Sequence, residues 1–189
     1  PRGTIKSVLE GDNTVNWAEA SHVEVSGNAT AEDGQTVSIS LSYGVTTVNT
    51  TASVAADMWT ATAAVISAWI TGNITVTADV DDAAGNAASQ ANTSLTLDKT
   101  APTLSIDTLL EGDNIVNDGE ASHVEISGTT TAEDGEMVSV AFTDGISIFN
   151  ASATVSGGTW TTTPTDISTL NEGNITVTAD VDDTAGNPA

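Results

Sequence analysis

The sequence predicts an all-β protein that consists of two tandem copies of one small domain. Two observations lead to this prediction. The first is an internal repeat with a constant offset, and the second is a series of short runs in which apolar and polar residues alternate. With 189 residues, the chain is long enough for two domains of about 100 residues each.

The internal repeat establishes the domain organisation. Several segments recur 101 positions later in the chain, and no gap is needed to align them. The recurring segments are residues 10–13, 19–24 and 72–82, which return as residues 111–114, 120–125 and 173–183. A constant offset over such a span indicates a duplicated domain. We therefore predict two repeats, residues 1–101 and residues 102–189.

The strands of the first repeat follow from alternation with a period of two residues. In residues 74–80 the apolar side chains occupy one face, whereas Thr75, Thr77 and Asp79 occupy the other, as in a half-buried strand. Turn residues separate such runs about every 8–12 positions. The predicted strands are residues 3–8, 20–27, 35–42, 45–54, 58–63, 73–80 and 91–98, with one helical turn at residues 67–69.

Seven short antiparallel strands in about 100 residues are typical of an immunoglobulin-like β-sandwich. Trp59 and Trp160 occupy equivalent positions and are predicted to fill the two cores. The second repeat ends at Ala189, which is equivalent to Ala88, so we expect it to lack its last strand. Either the sequence is cut from a longer tandem array, or a neighbouring chain supplies this strand.

The composition excludes several classes of function. Three Lys and Arg residues against 26 Asp and Glu residues give a net charge of −23, which excludes binding to nucleic acids or anionic lipids through basic patches. The chain has no cysteine and no apolar run of about 18 residues, so we expect neither disulfides nor membrane insertion. His22 and His123 are repeat equivalents, which indicates a scaffold role and not an active site. We expect a monomer without enzymatic activity.

The acidic residues concentrate in predicted loops. Because strand directions alternate, the loop at residues 10–13 should face the loops at residues 133–134 and 180–183, beside a linker at residues 98–102. Carboxylates this close repel one another, and three basic residues cannot neutralise them. The alternative interpretation is a solvated acidic surface that keeps the protein soluble.

Calcium is the cation that suits these loops best. Ca²⁺ takes 6–8 oxygen ligands in irregular geometry, whereas Mg²⁺ requires a tighter octahedron and Zn²⁺ prefers His and Cys. The candidate ligands near the linker are Glu10, Asp12, Asn13, Asp98, Glu133, Asp134, Asp180, Asp182 and Asp183. Further candidates in the first repeat are Glu32, Asp33, Asp79, Asp81 and Asp82.

Three motifs point to a known family: Asp-Lys-Thr-Ala-Pro at residues 98–102, Trp-Thr-Thr-Thr-Pro at 160–164, and Ala-Asp-Val-Asp-Asp-Thr-Ala-Gly-Asn at 179–187. Through them the chain resembles the bacterial immunoglobulin-like extender repeats of giant RTX-type adhesins, the biofilm and host-attachment proteins of Gram-negative bacteria. The resemblance implies a calcium-stiffened array of neighbouring repeats on the bacterial cell surface, which holds an adhesive tip away from the outer membrane. The family usually carries Asp-Thr-Thr-Ala-Pro, and Lys99 replaces the first Thr.

A second functional interpretation is an immunoglobulin-like module whose loops bind a glycan or a surface receptor. Trp17 and Trp69 support it, because Asp118 and Leu170 replace them in the second repeat. On this interpretation the two tryptophans form an exposed aromatic pair that is unique to the first repeat.

Overall fold

The computed structural model describes residues 1–8, 12–61, 64–107 and 114–189. The chain divides into two compact units, Pro1–Thr100 (unit 1) and Ala101–Ala189 (unit 2). Both units are built from β-strands, so the prediction of an all-β chain is confirmed. No helix in the described ranges has the length and apolar character needed to cross a membrane.

Unit 1 folds into two sheets. One sheet has the strand order β1-β3-β6, and the other has the order β2-β8-β7-β4-β5. Neighbouring strands are antiparallel except for β2 and β8, which run parallel. The strands are β1 Gly3–Val8, β2 Thr14–Val15, β3 Val25–Ala29, β4 Thr36–Tyr43, β5 Thr46–Ser53, β6 Met58–Thr60, β7 Gly72–Val80 and β8 Ala91–Leu97.

Unit 2 repeats this plan with fewer strands among its described residues. One sheet has the order β9-β10-β13 and the other the order β12-β11-β14, with antiparallel pairing throughout. The strands are β9 Leu104–Ile106, β10 Ser127–Thr130, β11 Met137–Thr143, β12 Ile148–Thr154, β13 Thr159–Thr161 and β14 Thr176–Asp180.

The core of each unit contains the inward-facing residues of both of its sheets, as the alternation predicts. In unit 1, every second residue is buried from Val37 to Leu41 in β4 and from Ile74 to Val80 in β7. Trp59 and Trp160 are 3% and 2% exposed, which confirms that these tryptophans fill the two cores.

A glycine lies under each of these tryptophans. A Cβ atom at Gly27 would overlap with the Trp59 ring and with the backbone carbonyl of Thr4 on β1. Gly128 stands in the same relation to Trp160 and to the carbonyl of Ser105. The indole therefore packs directly on the backbone of β3 in unit 1 and of β10 in unit 2, each the central strand of its three-stranded sheet. Only glycine leaves the ring enough room.

The prediction of a strand at residues 20–27 is wrong at its first half. Glu19–Ser21 forms a 3-10 helix, and β3 begins only at Val25. The Asn16 carboxamide oxygen accepts the backbone N–H groups of Ala18 and Glu19, at 2.9 and 3.0 Å. The Glu19 carboxylate in turn accepts the N–H of Asn16 at 3.0 Å. Local side-chain bonds of this kind compete with strand formation.

Replacing Gly27 by Ala should destabilise unit 1 by about 2 kcal/mol or more, because the added methyl group must displace both the Trp59 ring and β1. Gly3→Ala is the matched control, since a Cβ at Gly3 makes only an ordinary 3.6 Å contact with Val80. Urea unfolding followed by tryptophan fluorescence measures both variants. Equal stability of the two variants would contradict the packing described here.

Candidate metal-binding loops

The predicted ligands of unit 1 accept hydrogen bonds from backbone N–H groups of neighbouring loops. The Glu32 carboxylate accepts the N–H of Ala83, and the Asp33 carboxylate accepts the N–H of Ala56, both at 2.9 Å. Glu32 and Asp33 lie in the turn before β4, so one acidic turn ties down the loops that follow β5 and β7. Charged acceptors make stronger hydrogen bonds than neutral ones.

Unit 2 repeats the same two bonds at equivalent positions. The Glu133 carboxylate accepts the N–H of Thr184 at 3.0 Å, and the Asp134 carboxylate accepts the N–H of Gly157 at 2.7 Å. The N–H of Thr184 holds the pKa of Glu133 below its ordinary value. Because the charged form is the one that is bonded, Glu133 is ionised at neutral pH, as a metal ligand must be.

A third repeated element closes the loop after β7 and after β14. The Asn86 side chain donates to both carboxylate oxygens of Asp82, at 3.1 and 2.9 Å, and its backbone N–H donates to one of them at 2.8 Å. These bonds, led by the Asn86 side chain, lower the pKa of Asp82. Asp183 and Asn187 form the same arrangement, and both side chains are buried.

The remaining candidates have different surroundings. The exposed Asp12 carboxylate accepts the N–H of Thr14 at 2.8 Å, and the Asp98 carboxylate accepts the N–H of Thr100 at 3.0 Å. Asp79 accepts a bond from the Gln90 side chain at 2.9 Å. Glu10 lies outside the described residues. Asn13 has a positive φ of 61°, and Asp180 is exposed. Asp81 forms a single β-bridge to Ala87, and its equivalent Asp182 forms one to Pro188.

These loops offer the donor chemistry of a calcium site but not an assembled cluster. A carboxylate oxygen that accepts one N–H keeps a lone pair that can bind a cation. Among the described residues, however, no group of three or more His, Asp or Glu side chains lies close enough together to hold a metal ion. The assignment of individual ligands therefore stays a prediction.

Lys99 forms hydrogen bonds with a turn of unit 1 that the sequence analysis did not identify as its partner. Its ammonium group donates to the backbone carbonyls of Ser67 and Trp69 at 2.7 and 2.8 Å, and its N–H donates to the Thr71 hydroxyl at 3.1 Å. The carbonyls belong to the turn in which the Trp69 N–H bonds the Ile66 carbonyl. Turn carbonyls of this kind attract a cation.

The expected exposed aromatic pair is not present. Trp17 is 71% exposed, but Trp69 is only 9% exposed and stacks on Tyr43 with ring centroids 6.2 Å apart. Trp69 is therefore part of the core of unit 1. Its contact with Tyr43 fastens the end of β4 to the loop before β7. The glycan-binding interpretation thus loses one of its two aromatic side chains.

Unit 2 fastens the same two loops with a carboxylate. Asp144 replaces Tyr43, and its side chain accepts the backbone N–H and the side-chain N–H of Asn171 at 3.0 and 2.7 Å. It also accepts the N–H groups of Ile146 and Ser147, at 2.9 and 2.7 Å. These backbone donors, that of Asn171 first, hold the pKa of Asp144 well below its ordinary range.

Both histidines, His22 and His123, are exposed. The His123 Nδ1 atom lies 2.8 Å from the Ser122 hydroxyl. The Ser168 hydroxyl, followed by the Ser168 N–H, lowers the pKa of Asp166, and the nearby His123 adds a smaller effect in the same direction. Catalysis by such a set would need the carboxylate on Nδ1 and the serine on Nε2, which differs from the contact formed by Ser122.

No protein-family model and no curated protein matches the chain. Solved structures do match it. A tetra-tandem repeat from the extending region of a large adhesion protein is 30% identical over 99% of this chain, with a TM-score of 0.43. A Ca²⁺-stabilised adhesin with which an Antarctic bacterium binds ice is 24% identical over 99%, with a TM-score of 0.58. The third structure belongs to a 1.5-MDa bacterial ice-binding adhesin and concerns the retention of that adhesin at the host cell surface. It is 25% identical over 100% of this chain, with a TM-score of 0.52.

The chain spans 46%, 46% and 61% of the lengths of these three structures. The two TM-scores above 0.5 confirm the predicted fold, and both of these structures come from bacterial ice-binding adhesins. The resemblance to bacterial adhesin domains that the sequence motifs indicated is therefore confirmed over the whole chain by the 1.5-MDa adhesin.

Replacing Lys99 by Met should loosen residues 98–100, because two bonds to the Ser67 and Trp69 carbonyls are lost while the aliphatic stem is kept. We expect amide exchange of these residues to accelerate about tenfold, with little change in the unfolding midpoint. Lys6→Met, on the exposed side of β1, is the control and should leave the linker unchanged. Equal exchange rates in both variants would contradict the anchoring role.

Replacing Asp144 by Asn should destabilise unit 2 at neutral pH and remove an acid-sensitive part of its stability. The folded-state pKa is depressed, so the contribution of Asp144 is complete above the unfolded value of about 3.9 and is lost as the pH falls through the folded value. The difference in stability between the variant and the parent should thus shrink progressively as the pH falls below about 4 in urea unfolding. A difference in the free energy of unfolding that stays constant from pH 7 to pH 2.5 would contradict this role of Asp144. The control is Asp118→Asn, at an exposed loop position.

Proposed function

We propose that this chain is a structural extender of a bacterial surface adhesin. Its two immunoglobulin-like units would act as links in a tandem array that holds an adhesive part away from the cell, without enzymatic activity. The observation that carries the proposal is the similarity of the whole chain to a 1.5-MDa bacterial ice-binding adhesin, at 25% identity and a TM-score of 0.52. The internal repeat of 101 residues supports it, because extension by repetition requires similar consecutive units.

An extender must resist bending, and short linkers by themselves allow domains to move. The start of the linker is fixed by unit 1 itself, through Lys99 and through the Thr71 hydroxyl, which lies 3.4 Å from that of Thr100. Within each unit, the Glu32 and Glu133 turns fasten the loop after β7 and the loop after β14. These bonds support a role in which each unit behaves as a stiff element.

We further propose that calcium stiffens the array. A net charge of −23 leaves the acidic loops in mutual repulsion, which a bound divalent cation would cancel. The ligands that we assign are oxygen donors of the linker and of the neighbouring loops, above all Asp98, Asp134, Asp180 and Asp182. Support comes from the Ca²⁺-stabilised adhesin of the Antarctic bacterium, which has the same fold.

This function sets the expected surroundings of the protein. The chain would lie outside the cell, on the bacterial surface, with neighbouring repeats and calcium ions as its partners and no need to form oligomers. Extracellular calcium modules bind with dissociation constants of about 10⁻⁴–10⁻³ M. Such affinities match an environment in which calcium is permanently available, so the metal acts as a structural component and not as a signal.

Calcium at 100 times its dissociation constant should stabilise the protein by about 2.7 kcal/mol. For units of this size, that corresponds to a rise in melting temperature of about 10 °C or more. The measurement is a calorimetric scan with millimolar calcium and with EDTA. Magnesium is the control and should give a much smaller rise, because it fits irregular loops less well. Superimposable curves with calcium and EDTA would remove the metal from the proposal.

The repeat supplies a matched pair of variants that tests the ligand assignment. Asp182→Asn removes a candidate ligand in unit 2, and Asp81→Asn makes the same change at the equivalent position of unit 1. Both side chains are exposed and both residues form one β-bridge, so their structural costs should be alike. We expect Asp182→Asn to reduce the calcium-induced rise by at least half and Asp81→Asn to leave most of it. Equal effects of the two changes would contradict a site next to the linker.

A further inference from the structure

Each unit has one long outer strand that carries none of the usual protection against pairing with another chain. Among the described strands, β5 pairs only with β4, and β12 pairs only with β11. Both pairings run without a register shift, over eight residues in β5 and seven in β12. Neither strand contains a charged residue, a proline or a glycine. Regular, uncharged edges of this kind are the ones that proteins normally block.

The other outermost strands of the two sheets of unit 1 are protected. β1 contains Lys6, and its pairing with β3 shifts register between Ile5 and Ser7. β2 and β6 have only two and three residues. A charged side chain, an irregular register and a short strand each discourage contact between edges. Among the outermost described strands of these two sheets, β5 is thus the one without such protection.

The middle of each long edge carries an Asn-x-Ser/Thr triplet, which is the acceptor motif for N-linked sugars. The triplets are Asn-Thr-Thr at residues 49–51 of β5 and Asn-Ala-Ser at residues 150–152 of β12, at the repeat offset of 101. Because side chains alternate along a strand, the asparagine and the hydroxyl residue two positions later lie on the same face. In both triplets these two side chains are exposed. Both units thus present the complete motif to solvent at a sheet edge.

The same motif begins at four other asparagines, whose surroundings differ. Asn28 lies on the central strand β3, and its side-chain oxygen is buried. Asn73 lies on β7, between β4 and β8, and its side-chain oxygen accepts a bond from the Thr96 hydroxyl at 3.3 Å. Asn92 is the second residue of β8, and Asn174 precedes β14. None of these four asparagines lies in the middle of a long edge strand.

We propose that Asn49 and Asn150 are acceptor sites for an N-linked sugar, which shields the two long edges. The donor is a sugar diphosphate, linked to a nucleoside or to a lipid, and a separate transferase joins it to the asparagine. The Nδ2 atom attacks the anomeric carbon of the sugar, so that a C–N bond forms while the bond from that carbon to the phosphate oxygen breaks. The diphosphate leaves with the electron pair, and the carboxamide loses one proton. Thr51 and Ser152 complete the motif that the transferase recognises.

A sugar suits these two positions because it is bulky, hydrated and uncharged. It blocks the approach of a second strand without adding to the net charge of −23. The cross-strand neighbours of Asn49 and Asn150 are Ser40 and Ala141, whose small side chains leave room on the same face. The sugar therefore supplies the edge protection that charge, proline and irregular register supply elsewhere.

The proposal does not depend on calcium or on the extender function. It is tested by mass spectrometry of the full chain purified from the cells that naturally produce it, after cleavage at Asp and Glu. We expect a sugar on the peptides that contain Asn49 and Asn150 and none on the peptide that contains Asn28. No sugar at Asn49 and Asn150, or equal modification at Asn28 and Asn73, would overturn the proposal.

Variants made in the same cells test whether the motif determines the modification. Thr51→Ala and Ser152→Ala keep each asparagine but should each abolish the sugar on their own strand. Thr47→Ala changes another exposed threonine of β5 outside the motif, so this matched control should leave the sugar in place. Loss of the sugar in all three variants, or in none of them, would overturn the assignment to these triplets.

A second measurement tests the shielding of the edges. The modified chain is compared with the double variant Asn49→Gln and Asn150→Gln by amide hydrogen exchange at low and high chain concentration. In the double variant, exchange of residues 46–53 should slow about tenfold at high concentration because the bare edges pair, whereas the modified chain should show no change. Slowing in the modified chain as well would assign these edges to a second copy and would overturn the shielding role.

Discussion

The shortage of positive charge is the constraint on which the loops of this protein depend. Three basic side chains cannot neutralise 26 carboxylates, so the fold satisfies its acidic turns with backbone N–H donors. Glu133 and Asp134 each tie down a different loop of unit 2, and Asp183 closes the loop after β14. An acidic residue that accepts backbone bonds is useful to the fold without any cation, which explains how so acidic a chain forms two ordered units.

The calcium-binding role that we propose for these carboxylates does not compete with their hydrogen bonds. A carboxylate oxygen accepts a hydrogen bond with one lone pair and can still offer another to a hard cation. The bonds also favour the ionised form, as the lowered pKa values of Asp82 and Glu133 indicate. Backbone donors therefore fix the positions of the loops and keep their side chains charged, which are the two conditions that a calcium site needs before the metal arrives.

The sequence predicted the parts of the fold that follow from local pattern. Alternation located the main strands, and the repeat located the core tryptophans, because Trp59 and Trp160 recur at the same offset. The sequence prediction failed where a few side-chain hydrogen bonds determine the backbone conformation. The bonds between Asn16 and Glu19 accompany a 3-10 helix at Glu19–Ser21, where a strand was predicted. The prediction also failed for Trp69, which stacks on Tyr43 in the core and is not exposed. The partners of Lys99 lie about 30 residues away in the sequence, so local pattern does not indicate them.

The eleven residues shared by both units show why the rest was beyond local reasoning. Gly72–Val80 forms nine residues of strand because β8 and β4 both pair with it, whereas its copy in unit 2 pairs with β11 on one side. A strand's length and the burial of its apolar face are thus properties of the sheet and not of the segment.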